Sequence, residues 1–160
     1  MKMNPVEALC WSVALPGFGQ LRNKKYIKGL LLIALEVLIN TGSNLNTVIK
    51  SSFQGEIVGA IGQANYQWLM FYPCVYMFGI WDAFRDAGGG GESAYSFIPF
   101  VGGAYFGTVG VIGSDRLTLF GTLLGPVWMG LLFAFGGIAL GWACKTILDN
   151  KRNVLGGNTR

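Results

Sequence analysis

The sequence predicts an all-α fold. It reads as a polytopic helical membrane protein with four to five transmembrane segments, the first either crossing or re-entrant, plus one surface amphipathic helix. Three observations carry this. Charged residues make up 12% of 160 and hydrophobic residues 52%, where soluble domains carry about 25% charged. The apolar residues are gathered into five long runs. The basic residues fall almost wholly on one side when those runs alternate across a bilayer.

The first run, 5–21, is interrupted by Pro16, Gly17 and Gly19. Its 17 residues fall short of the ~20 needed for a straight crossing. It is expected to cross as a short helix or to enter and leave one face by turning at Pro16-Gly17. The second run, 26–41, is cleaner, with Glu36 as its one charge beyond the first turn. In the mixed stretch 45–62, Leu45, Ile49, Phe53, Ile57 and Ile61 recur every fourth residue, with Val48 and Val58 beside them. That pattern predicts one amphipathic helix lying on the membrane surface. Gly55, Gly59 and Gly62 weaken it.

The third run, 66–84, has aromatic residues at both ends (Tyr66 and Trp68, then Trp81 and Phe84), as membrane interfaces favour. Four glycines at 88–91 make a flexible connection to the fourth run, 95–113, whose Pro99 is tolerated in a first helical turn. Residues 117–148 would form a helix of about 48 Å, too long for one crossing. Pro126 is expected to divide them into a short shallow element, 117–125, and a fifth span, 126–148. Residues 1–150 thus read as one membrane domain, and 151–160 as a polar, frayed tail.

With the loop at 22–28 cytoplasmic, Arg22, Lys24, Lys25, Lys28, Arg85, Lys145, Lys151, Arg152 and Arg160 lie inside, and only Lys50 and Arg116 outside. Lys2 depends on the first segment. The expected location is therefore a cytoplasmic (inner) membrane, multi-pass, with the C-terminus cytoplasmic.

Several chemistries are excluded or unsupported. The chain has no histidine, which removes imidazole bases and His-ligated metals. Cys10, Cys74 and Cys144 are far apart, form no CxxC pair, and are expected to be buried as small apolar side chains. No cofactor, metal, nucleotide or nucleic acid is expected.

The stretch "LPGFGQLRNKKYIKG", residues 15–29, sets glycines beside Arg22, Lys24, Lys25 and Lys28. It lacks the G-x-x-x-x-G-K-[ST] spacing of a phosphate loop. It reads instead as a turn and basic collar that meets anionic lipid headgroups, at about 1 kcal/mol per basic residue. Together with "GIWDAFRD" at 79–86, it resembles the TM-two domain of small bacterial membrane proteins. That pattern has a Gly-rich first helix end, a short polar-basic loop, a K-G entry to a second helix and a Trp-then-Asp element. Here about 50 residues separate the two halves. The resemblance implies a membrane hairpin of bacterial type and no reaction.

Glu36 lies about ten residues into a span, where a charged side chain costs about 2.5–3.5 kcal/mol. It is expected to be either a proton or cation site or a neutral, hydrogen-bonded carboxyl packed between helices. Asp82 and Asp86 flank Arg85 and predict a local interfacial charge cluster. There are 25 glycines. The pairs Gly103/Gly107, Gly121/Gly125 and Gly137/Gly141 have the small-xxx-small spacing of close helix contacts.

The function expected from these features is a non-enzymatic structural, assembly or accessory subunit, packing through Gly-rich faces with itself or partner membrane proteins. The alternative is a small transporter or ion or proton channel using Glu36.

Overall fold

The computed structural model describes residues 3–91 and 93–156. Lys2 and Arg160, both used above to weigh orientation, lie outside them. The described chain is helical apart from one small hairpin. Its elements run α1 (Pro5–Ala14), α2 (Phe18–Arg22), α3 (Tyr26–Ser43), α4 (Leu45–Phe53), α5 (Ile57–Gln63), α6 (Tyr66–Leu69), α7 (Tyr72–Asp86), α8 (Ile98–Gly113), β1 (Thr118–Leu119), β2 (Thr122–Leu123) and α9 (Gly125–Gly156).

The first run is a helical hairpin. Asn4 caps α1 by accepting from the Val6 N–H, and Pro5 takes the first turn, where a missing N–H costs nothing. Pro16-Gly17 then breaks the helix, with Gly17 at φ +101°. The chain returns through α2, so that Arg22 at its end pairs with Glu7 near the start of α1 at 2.9 Å. The two ends of the segment are therefore side by side: it is a hairpin turning at Pro16-Gly17, not one continuous helix.

Four longer elements follow in antiparallel order. Lys28 at the start of α3 meets Asp82 at the end of α7, and Gly42 at the end of α3 meets Trp68 of α6. On α7 and α8, Gly107 lies against Pro73, and Gly103 against Met77. On α8 and α9, Gly110 lies against Met129 and Gly102 against Gly137. One end of the bundle, the basic end, gathers Lys28, Asp86, Lys145 and Asp149. There Ser93 donates to Asp149, which also pairs with Lys145 at 2.8 Å. A small-residue core of Ala8, Ala83 and Ala87 sits near this end, and Leu45, Leu69 and Val111 pack at the opposite one.

Two helices are long and apolar enough to cross a membrane: Tyr26–Ser43, with mean hydropathy 1.3, and Gly125–Val154, with 1.8. Ile98–Gly113 is apolar but shorter.

Several expectations change. The stretch 45–62 is two helices, because Gly55 at φ +80° turns the chain between α4 and α5. Both pack on α9: the Trp128 indole N–H donates to the Ser52 carbonyl at 3.2 Å, and Ile57 lies against Gly125. Leu45 and Val48 are buried in the bundle, while Phe53 and Val58 remain exposed. The third run is broken between α6 and α7, where Pro73 starts a new helix. Within 117–125, residues 118–123 form the β1–β2 hairpin, closed by Phe120 (φ +51°) and Gly121 (φ +78°), the positive-φ pair of a two-residue hairpin turn. Pro126 does not divide a helix; it sits in the first turn of α9. That helix continues through 151–156, so these residues are not a frayed tail.

The three cysteines are exposed within the chain, not buried, because each falls on the outward side of its helix.

Candidate functional site

The basic end is built by the two stretches that the sequence separates by about 50 residues. Gln20 of α2 is fully buried, and its side-chain amide donates to the Gly79 carbonyl (2.8 Å) and to Asp82 (3.1 Å). Asn23, just past α2, donates to the Ala83 carbonyl at 2.9 Å. Lys28 pairs with Asp82 at 2.7 Å and with Asp86 at 3.0 Å. "LPGFGQLRNKKYIKG" thus clasps "GIWDAFRD" by five hydrogen bonds across α2, α3 and α7.

Close approach of backbones makes this clasp possible. A Cβ on Gly19 would lie 2.1 Å from Ser12 Oγ and 2.7 Å from the Ala83 Cβ. One on Gly29 would meet the Leu21 side chain and the Gly17 carbonyl. Glycine here is a packing requirement of α1, α2, α3 and α7 together.

The charge cluster forms, but with a different partner. Asp82 and Asp86 pair with Lys28, since all three face the α3–α7 seam. Arg85 points away, exposed, and donates to the Gly89 carbonyl at 3.5 Å. Lys24 and Lys25 are exposed and enter no ion pair among the described residues. The Lys28 side chain is 47% exposed against 13% and 21% for its partners, so each pair contributes only about 1 kcal/mol. Lys28→Met is expected to destabilise the fold by about 1–2 kcal/mol, mainly by stranding two half-buried carboxylates. Adding Asp82→Asn and Asp86→Asn should recover most of the loss. Thermal unfolding of the purified variants checks both effects.

Glu36 lies deeper. It is on the inward face of α3, 6% exposed, and its Oε2 has no hydrogen-bond partner. Tyr72 and Tyr76 of α7 lie beside it, their rings stacked with centroids 5.5 Å apart. The Tyr76 hydroxyl donates to the Val13 carbonyl, in the last turn of α1. The carboxyl therefore sits near the tip of the α1–α2 hairpin, with no cation among the described residues acting on it.

The packing glycines divide into two groups. Gly103, Gly107, Gly137 and Gly141 lie between helices: a Cβ on Gly141 would meet Pro99 at 2.7 Å, and one on Gly103 would meet Ile138 at 2.8 Å. Gly121 and Gly125 form no helix face. Gly121 is in the β-hairpin turn with nothing within 4 Å, and Gly125, at φ +72°, begins α9 against Ile57. Sequence reasoning missed Gly102, Gly110 and Gly130, which extend the same seam. It also missed Gln20, Asn23, Tyr72 and Tyr76. Of these, Gln20 was visible as the one uncharged polar side chain beyond serine in an otherwise apolar run.

Comparisons with family models, curated proteins and solved structures find no match. The likeness to the TM-two pattern rests on the two stretches that form the clasp.

Proposed function

We propose that the protein is a multi-pass membrane component with no catalytic role, acting as a structural or accessory subunit by packing with partner membrane proteins or with copies of itself. The observation that carries the membrane part is the polarity of α3. Its buried face is Gly29, Leu32, Glu36, Ile39 and Ser43, while Ile27, Leu30, Leu31, Val37 and Leu38 are exposed. Polar groups turned inward and aliphatic ones outward suit a helix whose surroundings are hydrocarbon. On this reading α3, α6–α7, α8 and α9 cross the bilayer, and the α1–α2 hairpin re-enters it from the basic, cytoplasmic side. The β-hairpin lies outside and the C-terminus inside.

Two features support an assembly role. The polar side chains of the clasp are spent on one another, and the outward surfaces of α3, α8 and the first two thirds of α9 carry many large apolar side chains. The glycine seam binds α8 to α9 of the same chain, so contacts with other chains fall to those outward surfaces.

The test has two parts. In a cysteine-free background, single cysteines at Lys24 and Lys151 are expected to react with an impermeant maleimide only from the cytoplasmic side, and one at Arg116 only from the opposite side. Native mass spectrometry after extraction in mild detergent should then find a homo-oligomer or a stable partner. A strictly monomeric, partner-free protein would sink the assembly role.

A second reading, a transporter or proton channel, is favoured by the unpartnered oxygen of Glu36 beside a broken helix. Equal, background-level flux from wild type and Glu36→Gln in proteoliposomes would remove it.

A further inference from the structure

We propose that Glu36 is a proton-binding site inside the bundle, and that its proton determines how firmly the α1–α2 hairpin is docked, with Tyr76 as the link. The inference depends on the membrane reading only for what surrounds the bundle. It does not depend on partner binding or on flux.

Glu36 is more than nine-tenths buried, and Oε2 has no partner. Hydrogen bonds and burial distinguish its two forms. A carboxylate is acceptor-only and needs several donors, whereas the neutral acid brings a donor of its own. The Tyr72 phenol is the donor beside Glu36, and the Tyr76 phenol, its ring stacked on that of Tyr72 at 5.5 Å, is the next along α7. Tyr76 has one hydroxyl proton, and in the docked hairpin it is committed to the Val13 carbonyl.

Charged Glu36 competes for that proton, because hydrogen bonds to a carboxylate are stronger than those to a neutral carbonyl. The two rings are not packed on every side: Tyr72 and Tyr76 line an apolar cavity of about 290 Å³, shared with Leu45, Val111 and Leu131. Once Tyr76 turns to Glu36, the Val13 carbonyl is left without a donor and the tip of α1 is released. Proton binding and hairpin docking are then linked, each favouring the other.

Among the described residues, no charged group on the elements packed against α3 takes the place of the proton. On α2, Arg22 is paired with Glu7. On α4, Lys50 is exposed. On α6, the Tyr66 hydroxyl is shared with Ser114. On α7, Asp82 is held by Lys28 and Gln20, and Arg85 points outward.

The test is amide hydrogen exchange across residues 8–20 of the full chain in nanodiscs. It is measured at about pH 5 and about pH 9, the range over which buried glutamates titrate, and corrected for intrinsic exchange. In the wild type, exchange around Val13 is expected to rise about five- to tenfold at the higher pH, the equilibrium equivalent of one net hydrogen bond. Glu36→Gln should stay protected at both pH values. Tyr76→Phe should exchange faster at both and show no pH dependence. A wild type without pH-dependent exchange at the hairpin overturns the proposal, as does a Glu36→Gln or Tyr76→Phe variant that retains the wild-type dependence. None of these outcomes alters the maleimide pattern or the oligomeric state, so this proposal and the function reading fail separately.

Discussion

Gly137→Ala is expected to cost about 3 kcal/mol, while Gly136→Ala, one residue away on α9, should be neutral or slightly stabilising. The new methyl at position 137 would lie 2.2 Å from the Gly102 carbonyl oxygen, with the carbonyl carbon at 2.7 Å and the Phe106 Cβ at 2.8 Å. Two of these three obstacles are backbone atoms and cannot rotate away, so α8 and α9 must separate. Overpacking typically costs 1–3 kcal/mol, and the upper end applies where the obstacle is rigid. At position 136 nothing lies within 4 Å. There the only change is the better helix propensity of alanine, up to about 1 kcal/mol in its favour. Reversible unfolding in SDS, followed by tryptophan fluorescence, measures both. Equal stabilities for the two variants would show that α8 and α9 do not meet along Gly102 and Gly137.

Gly17→Ala should release the α1–α2 hairpin. Gly17 has φ +101°, and a Cβ there would stand 2.5 Å from the Gly29 carbonyl oxygen and 2.7 Å from Ile33 Cγ1. Strain of this kind costs about 1–3 kcal/mol before any clash is counted. Gly88→Ala isolates the strain, since Gly88 has φ +90° and nothing within 4 Å. A reporter is available in Ser12, which is fully buried against Gly19. Ser12→Cys, with the three native cysteines removed, should react slowly with maleimide in the parent. In the Gly17→Ala background it should react at least about tenfold faster, the equivalent of 1.4 kcal/mol of docking free energy. With Gly88→Ala the rate should be unchanged. Slow labelling in all three proteins would mean that the turn at Pro16-Gly17 does not hold the hairpin down.

Both predictions concern glycines, and the sequence located them unevenly. The small-xxx-small spacing found Gly103, Gly107, Gly137 and Gly141, but by itself it could not separate a helix face from a β-turn. Gly121 and Gly125 have the same spacing, and one of them turns a hairpin while the other starts a helix. Spacing specifies only what a face would contain if the segment were helical. Residues 117–124 are not helical: Phe120 and Gly121 turn the chain at positive φ, and Gly125 at φ +72° opens α9, which packs on α4 and α5. The stretch 45–62 is likewise interrupted. The four-residue recurrence of Leu45, Ile49, Phe53, Ile57 and Ile61 is real, yet Gly55 lets the chain bend so that both halves grip the start of α9.

Charge reasoning carried further at long range than at short range. It set Lys28, Arg85 and the end of α9 on one side, and the antiparallel order of the elements agrees with that grouping. It also paired Asp82 and Asp86 with Arg85 because they are neighbours in sequence. On a helix, 82, 85 and 86 do share a face, but the inward seam admits the carboxylates and leaves the longer guanidinium outside, so a lysine from another helix takes its place.

The amino-acid sequence by itself determined the helical class, the apolar runs, the basic end and the position of Glu36 within a run, because these follow from composition and order along the chain. Only the tertiary structure decided that 5–21 folds back on itself. It alone joined "LPGFGQLRNKKYIKG" to "GIWDAFRD", and it alone turned Glu36 toward Tyr72 and Tyr76. These are meetings between segments distant in sequence. They rest on backbones approaching at glycines and on single donors finding single acceptors, and such geometry has no periodic signature to read along a chain.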